Sequence, residues 1–267
     1  MALRVLVSGA AGRMGRCVTA AVSGADDLTV VAAVDATCVG EDAGVLAGKP
    51  ALGITVRPPA ELVRAIEQAS PDVMVDFVVP ATASLENVRL AISHRVCCVV
   101  GSTGFGSADL AELKELCLVH HTPAVVAPNF SLGANLMMRF AAEAARHFDF
   151  AEIIERHHEN KKDSPSGTAL KTAEMMAVAR GKPVSVPETE FDKAPGSRGG
   201  RHAGIPIHAV RLPGYVAHQE VVLGGLGEVL TLRHDSISRE SFMPGVLLAV
   251  RKVKELQGLT VGLERLL

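Results

Sequence analysis

The 267-residue sequence predicts an α/β fold: a doubly wound parallel sheet joined to a separate α+β domain. Three observations predict it. Short apolar strands alternate with helical stretches through the first half. That alternation stops after Phe130, and three closely spaced strands follow later with no helix between them. The apolar mass is Ala, Val and Leu, with no Trp and one Tyr, which suits buried parallel strands covered by helices.

The first strand is the apolar run Arg4 to Val7. It leads into Ser8-Gly9-Ala10-Ala11-Gly12-Arg13-Met14-Gly15-Arg16, and Cys17 to Val22 is helical. A strand, a Gly-rich turn and a helix form the Rossmann-type, dinucleotide-binding arrangement. Glycine lets the chain turn sharply and lets a pyrophosphate approach the helix N-terminus. The spacing is G-x-x-G-x-x-G, which departs from the G-x-G-x-x-G fingerprint. A second strand, Leu28 to Val34, ends in Asp35, twenty positions after Gly15, where a ribose-binding carboxylate belongs. A plain tight turn and a strand-end Asp would be the simpler reading. Order and spacing together favour the nucleotide.

Pro58 to Ala69 is an amphipathic helix with Pro at its start. Asp72 to Val79 is a strand and Ala81 to His94 a helix. Val96 to Val100 is a strand ending in Gly101-Ser102-Thr103-Gly104. Ser107 to His120 is a helix, and Pro123 to Ala127 a short strand ending in Pro128-Asn129-Phe130. Ligands of open α/β sheets bind beyond the carboxyl ends of strands, so both end segments are candidate cofactor contacts. A long helix, Leu132 to His147, then begins the second domain. Pro183 to Gly204, rich in Gly, Pro and charge, is a loop expected to move. Pro206 to Leu212, Tyr215 to Leu223 and Glu228 to His234 are three adjacent strands of an antiparallel or mixed sheet. A final helix, about Ser241 to Leu256, is placed to return to the first domain.

The most informative stretch is Glu155-Arg156-His157-His158-Glu159-Asn160-Lys161-Lys162-Asp163-Ser164-Pro165-Ser166-Gly167-Thr168. The strand-like run Phe150 to Ile154 precedes it and a helix from Ala169 to Met176 follows. Imidazole and ammonium groups both donate protons near neutral pH. A helix start at Ser166-Gly167-Thr168 offers backbone N–H groups to an anion. Together they suit a small carboxylate that is protonated during reaction. The plain alternative is a solvated, charged loop with a Ser cap.

Net charge is −2, so nothing points to a polyanion. With so few aromatics a stacking surface for single-stranded nucleic acid is not expected. Arg198-Gly199-Gly200-Arg201 reads as a basic patch on a mobile loop. The cysteines, Cys17, Cys38, Cys97, Cys98 and Cys117, form no C-x-x-C pair and are odd in number, which suits a reducing cytoplasm. The chain opens almost at once on a strand, so no secretory leader is expected, and no apolar run is long enough to cross a membrane. The adjacent pairs His120-His121 and His157-His158 splay apart on regular structure, so no metal site is expected.

These segments resemble the 4-hydroxy-tetrahydrodipicolinate reductase (dihydrodipicolinate reductase) family, essentially end to end. The resemblance rests on Gly9-x-x-Gly12-Arg13-Met14-Gly15, on Gly101-Ser102-Thr103-Gly104-Phe105, on Pro128-Asn129-Phe130-Ser131 and above all on His157 to Thr168. It implies a Rossmann domain, residues 1–130 completed by 238–267. It also implies an inserted α+β domain, 131–237, whose open mixed sheet builds a homotetramer. It implies that NADH or NADPH gives hydride to a cyclic, unsaturated dicarboxylate. His157 would protonate the resulting enamine-like carbon, assisted by Lys161. His158, Gly167, Thr168 and Arg239 would contact substrate. Gly9, Ala10, Ala11, Gly12, Arg13, Met14, Asp35, Gly101, Ser102, Thr103, Ala127, Pro128, Asn129 and Phe130 would contact the cofactor. Where some members carry an acid followed by Arg, Asp35 is followed here by Ala36 and Thr37, which tilts the expectation towards NADH. Lys162 beside Lys161 leaves both ammonium groups open as the substrate partner. Another two-domain dehydrogenase, or a dinucleotide sensor without catalysis, is the competing expectation.

Overall fold

The computed structural model describes residues 2–182, 184 and 193–267. The chain divides into two compact units, one of residues 1–130 with 242–267 and one of residues 131–241. The second crossing therefore falls after Ser241, a few residues later than the sequence suggests.

The first unit runs β1 (Leu3–Ser8), α1 (Arg13–Ser23), β2 (Leu28–Val34), α2 (Ala43–Leu46), β3 (Val56–Arg57), α3 (Leu62–Ala69), β4 (Val73–Asp76), α4 (Ala81–Ser93), β5 (Cys97–Val100), α5 (Ser107–Val119) and β6 (Ala124–Val126). Among the described residues its sheet has seven strands in the order β12-β6-β5-β4-β1-β2-β3, every pairing parallel; β12 (Leu259–Val261) is identified below. Every residue of β4 and β5 is buried, as a strand covered on both faces requires. On α3, Leu62, Ala65 and Ile66 are buried at helical spacing against the same core as Leu6, Val34, Met74 and Val100. The chain leaves β1 towards β2 on one side and returns to β4 on the other. That reversal opens a crevice at the carboxyl ends of β1 and β4.

The second unit holds α6 (Leu132–Ala144), β7 (Phe150–His157), α7 (Gly167–Arg180), β8 (Gly200–His202), β9 (Ile205–Arg211), β10 (Ala217–Gly225) and β11 (Glu228–Ser236). Its sheet is mixed, in the order β11-β10-β7-β9-β8: β7 and β9 are parallel and the other pairs antiparallel. One face packs Ala151, Ile153, Ile205, Ile207, Val221 and Leu223 against Ala141, Ala145, Ala169, Ala173 and Met176 of the two helices. The alternate positions Glu152, Ile154, Arg156, Glu220 and Val222 are only partly covered. The chain then re-enters the first unit through α8 (Met243–Lys252) and β12, which pairs with β6.

Four expectations are corrected. The strands at 206–212 and 215–223 are not neighbours, because β7 lies between them. The five residues 212–216 can span roughly 16 Å when extended, enough to pass one strand at ~4.8 Å per spacing, so a short link does not force a hairpin. The loop expected over 183–204 contains β8. Arg198 is tied by an ion pair to Glu152, 2.6 Å away, so this basic patch is anchored. Pro183 and residues 185–192 of that loop lie outside the described residues. The strand expected over Asp72 to Val79 stops at Asp76, and Phe77 to Pro80 turn across the crevice. The helix expected to reach His147 ends its α-turns at Ala144.

Glycine is required at two places in the first turn. Gly9 sits at φ +81°, a left-handed conformation. A Cβ on Gly15 would lie 1.9 Å from the Gly9 carbonyl oxygen, so α1 can start against the loop only without one. Gly15→Ala is therefore expected to cost about 1–3 kcal/mol by overpacking. Gly167→Ala, whose Cβ would meet nothing within 4 Å, should be close to neutral for stability. Denaturant unfolding of both variants checks this; equal stability would contradict it.

Candidate active site

The crevice of the first unit encloses about 600 Å³ and is lined by Gly9, Gly12, Arg13, Met14 and Asp35, among others. The N-cap of α1, Gly12, supplies no side-chain cap, which leaves first-turn N–H groups for an anion. Glycine at 9, 12 and 15 keeps this cradle clear of Cβ atoms. A dinucleotide fits these residues: pyrophosphate at the α1 start, adenosine ribose towards Asp35. Asp35 is already engaged. It accepts from Ala11 N–H at 2.9 Å, Thr37 N–H at 2.8 Å and Thr37 Oγ1 at 2.9 Å. Ala10 and Ala11 are buried, and the Ala11 N–H is thus given to Asp35. Arg16 lies beside this loop, its Nε donating to the Ala11 carbonyl at 2.8 Å and its Nη2 4.0 Å from the Cys38 sulfur.

Beneath the crevice lies Asp76, fully buried at the end of β4. It accepts from Val78 N–H (3.1 Å), Ser84 Oγ (2.5 Å), Asn87 Nδ2 (3.2 Å) and Ser102 Oγ (3.1 Å). Gly101 follows β5, where a Cβ would lie 1.9 Å from the Phe77 ring. Thr103 is exposed beyond it. After β6, Ala127 and Phe130 are buried, with Pro128 exposed between them, and the Phe130 ring packs on Phe77 with centroids 5.8 Å apart. Gly101 to Thr103 and Ala127 to Phe130 are not among the residues lining the crevice, whereas Ser8, Phe77, Val78, Val79, Pro80 and Asn87 are. The Phe77–Pro80 segment was missed because its apolar residues continue the strand pattern.

The second unit carries the titratable cluster. His157 ends β7, and its Nδ1 lies 2.5 Å from Oε2 of Glu155. Two residues apart on a strand, the two side chains share a face. Glu155 is fully buried. Its oxygens also accept from Arg211 Nη1 and Nη2, both at 2.8 Å, and from Ser166 N–H at 3.1 Å. Burial alone would push the Glu155 carboxyl up, but the hydrogen bonds and charges of His157 and Arg211 outweigh it and hold the carboxyl below its ordinary value. An ionised carboxylate only accepts, so this contact suits hydrogen on His157 Nδ1 and leaves Nε2 on the other side of the ring. Arg211 also donates from Nη2 to the Asp163 carbonyl at 2.8 Å, tying the 158–166 loop to β9.

Lys161 is half-buried and its Nζ reaches Asp163 at 2.7 and 2.9 Å. The ammonium holds the Asp163 carboxyl below its usual range. Lys162 is exposed and makes no ion pair among the described residues, so Lys161 is the inward lysine of the two. Ser166 caps α7, its Oγ accepting from Ala169 N–H at 3.2 Å. Its own N–H goes to Glu155, so the helix start offers fewer free donors than the sequence implied. Gly167 stands exposed at the tip, followed by the partly buried Thr168, and His158 is exposed just after His157. Arg239 opens an exposed 3-10 turn, and no hydrogen bond or ion pair links it to this cluster among the described residues.

Glu155 and Arg211 are the residues that sequence reasoning passed over. The alternation Ala151, Ile153, Glu155 puts a carboxylate on the apolar face of its strand, a signal that a partner must exist. Nothing in the sequence names Arg211 as that partner. No group of metal-ligating residues is found among the described residues, nor any helix long and apolar enough to cross a membrane.

A dinucleotide crevice in one unit and a buried acid–base cluster in the other define the class: a two-unit, dinucleotide-fold oxidoreductase. The fold alone is shared with an amine dehydrogenase from Mycobacterium smegmatis, at TM-score 0.69 and 17% identity over 98% of this chain and 95% of that one. The sequence models of dihydrodipicolinate reductase match here over residues 3–130 (N-terminus) and 133–267 (C-terminus), and the chain belongs to that family. It is 53% identical over 265 residues to the 4-hydroxy-tetrahydrodipicolinate reductase of Moorella thermoacetica, covering 99% of this chain and 98% of that protein. It is 47% identical over 271 residues to that of Gloeobacter violaceus, covering all of both. Among solved structures it is similar to the dipicolinate-bound dihydrodipicolinate reductase of Paenisporosarcina sp. TG-14, at TM-score 0.87 and 39% identity over the whole of both chains.

Because the Glu155 carboxyl titrates below its ordinary value of 4.5, the stability it contributes is present above that pH. It is lost as pH falls through the lower, folded-state value. Glu155→Gln should therefore lose less Tm than the parent protein between about pH 5 and pH 3. Parallel slopes in that window would contradict this.

Proposed function

We propose that this protein reduces 4-hydroxy-tetrahydrodipicolinate to tetrahydrodipicolinate in the cytoplasm, on the diaminopimelate route to lysine, with NADH as the favoured cofactor and NADPH as the second. Family membership supports the reaction. The observation that carries the assignment of residues is His157, held through Nδ1 by a buried carboxylate at the start of the Lys161–Thr168 loop. When bound, the reduced nicotinamide supplies hydride to the unsaturated ring. His157 delivers a proton from Nε2 to the enamine-like carbon. Lys161, drawn from Asp163 to the substrate, neutralises one carboxylate. Gly167 and Thr168 at the α7 start receive a carboxylate, as helix N-termini do, with His158 beside them. Arg239 is a further carboxylate partner. The relative with dipicolinate bound supports a cyclic dicarboxylate as ligand. A dinucleotide sensor would need the crevice but not this second cluster.

The cofactor contacts are those of the crevice together with Gly101 to Thr103 and Ala127 to Phe130. Asp35 favours NADH, since its carboxylate lines the crevice and Ala36 offers no charge to a 2′-phosphate. At an effective dielectric near 20, two unit charges ~4 Å apart repel by about 4 kcal/mol before solvent reduces it. Arg16, next to the same loop, opposes this, so the preference is modest. The second unit's open sheet face, with Ile154 and Val222 among Arg156, Glu152 and Glu220, is the surface through which four copies assemble.

Three measurements test this reading. His157→Gln should lower kcat by roughly 10²–10⁴ while NADH binding survives, and Lys161→Ala should harm KM and kcat where Lys162→Ala is mild. Near-normal kcat in His157→Gln, or reversed lysine effects, would remove those assignments. The ratio of kcat/KM should favour NADH at matched ionic strength; an equal or higher value for NADPH would refute the preference. Light scattering at micromolar protein should give a tetramer, and a monomer would contradict the assembly.

A further inference from the structure

Two donors and one bidentate cation converge on a single buried carboxylate behind His157. Oε2 of Glu155 takes His157 Nδ1 (2.5 Å) and Arg211 Nη1 (2.8 Å). Oε1 takes Arg211 Nη2 (2.8 Å) and Ser166 N–H (3.1 Å). A carboxylate has about four acceptor sites, and all are used. Glu155 has 0% exposure, whereas His157 retains 15%, so the carboxylate lies behind the imidazole and the ring keeps an open side. We propose that Glu155 is the positioning residue of the acid: it keeps a hydrogen on Nδ1 so that Nε2 delivers the proton, and through Ser166 it fixes the helix start that receives the substrate's carboxylate. This rests on the reading of His157 as the proton donor.

The proton balance follows from the geometry. The charged imidazole holds hydrogen on both nitrogens. Transfer from Nε2 to carbon leaves the neutral ring with its remaining hydrogen on Nδ1, facing Glu155. That form needs no ring rotation, and Nε2 is reloaded from solvent. Arg211 has a defined part here. A second cation on the carboxylate keeps it an acceptor, so it does not draw the proton away from the ring. The Ser166 bond makes the same group set the position of Gly167 and Thr168, so donor and anion site are built on one anchor.

A glutamine cannot replace this carboxylate. It offers one acceptor oxygen and an NH₂ to four converging N–H groups. With the oxygen on the side of Arg211 Nη2 and Ser166 N–H, where Oε1 now sits, the helix start is kept, and the NH₂ faces Nδ1, which disfavours the charged ring and inverts the neutral tautomer. The effect should fall on kcat.

The test has an arm that needs no Glu155 variant. In the parent protein labelled with ¹⁵N at its ten histidines, the His157 resonances, identified by their loss in His157→Gln, should show the neutral ring protonated on Nδ1. Hydrogen on Nε2 instead would overturn the proposal, whether or not any Glu155 variant folds. In the kinetic arm, Glu155→Gln should lower kcat roughly 10²–10⁴-fold, with substrate KM within a few-fold of the parent value. Glu155→Gln/His157→Gln should be no slower than His157→Gln alone, since both changes remove one function. Near-parent kcat in Glu155→Gln, or losses that multiply in the double variant, would reject the positioning role. Failure of the underlying reading looks different: His157→Gln itself would then turn over normally.

Discussion

A buried carboxylate must be matched by donors, and in the second unit that constraint organises everything around Glu155. An uncompensated charge at full burial would cost several kcal/mol, so three partners from separate segments converge on it. They are His157 on the same strand, Arg211 on β9 and the Ser166 amide at the mouth of α7. Meeting one electrostatic demand thus fixes the end of the β7–β9 pairing, the path of the 158–166 loop and the entry of the helix. Replacing the whole set of charged partners with well-packed apolar residues would often satisfy the core equally well. The polar arrangement is what orients an imidazole.

The first unit solves a similar problem with Asp76. Its carboxylate sits at the end of β4 and gathers Val78, Ser84, Asn87 and Ser102. These belong to the turn after β4, to α4 and to the turn after β5, so one buried acid holds together the floor beneath the crevice. Above it the walls are backbone. Gly9 adopts a left-handed turn, and Gly15 lets α1 lie against it with no side chain intervening. The rigid floor and the bare backbone wall are complementary. The first fixes where a nucleotide meets the sheet, and the second lets phosphates approach the helix.

Asp35 shows how the two kinds of contact compete. Part of its accepting capacity goes to Ala11 and Thr37, which holds the Gly-rich loop against the end of β2. A ribose would share that carboxylate rather than find it bare. Ala36 and Arg16 lie beside the same carboxylate, one without charge and one with it.

By itself the sequence determined the alternating strands and helices of the first half, the Gly-rich turn, the stretch from His157 to Thr168 and the change to an α+β pattern after Phe130. These are legible because each depends on periodicity or on residues adjacent in the chain. Helix and strand periods, Gly at a left-handed turn and a Ser cap act over a few residues. The tertiary structure decided what depends on distant partners. It placed β7 between β9 and β10, made a strand of Gly200–His202 and closed the parallel sheet with β12. It also brought Arg211 to Glu155 across 56 positions of sequence. A strand's pattern shows which face is buried, not which strand lies beside it. A buried acid shows that a cation is needed, and only the folded sheet shows which one.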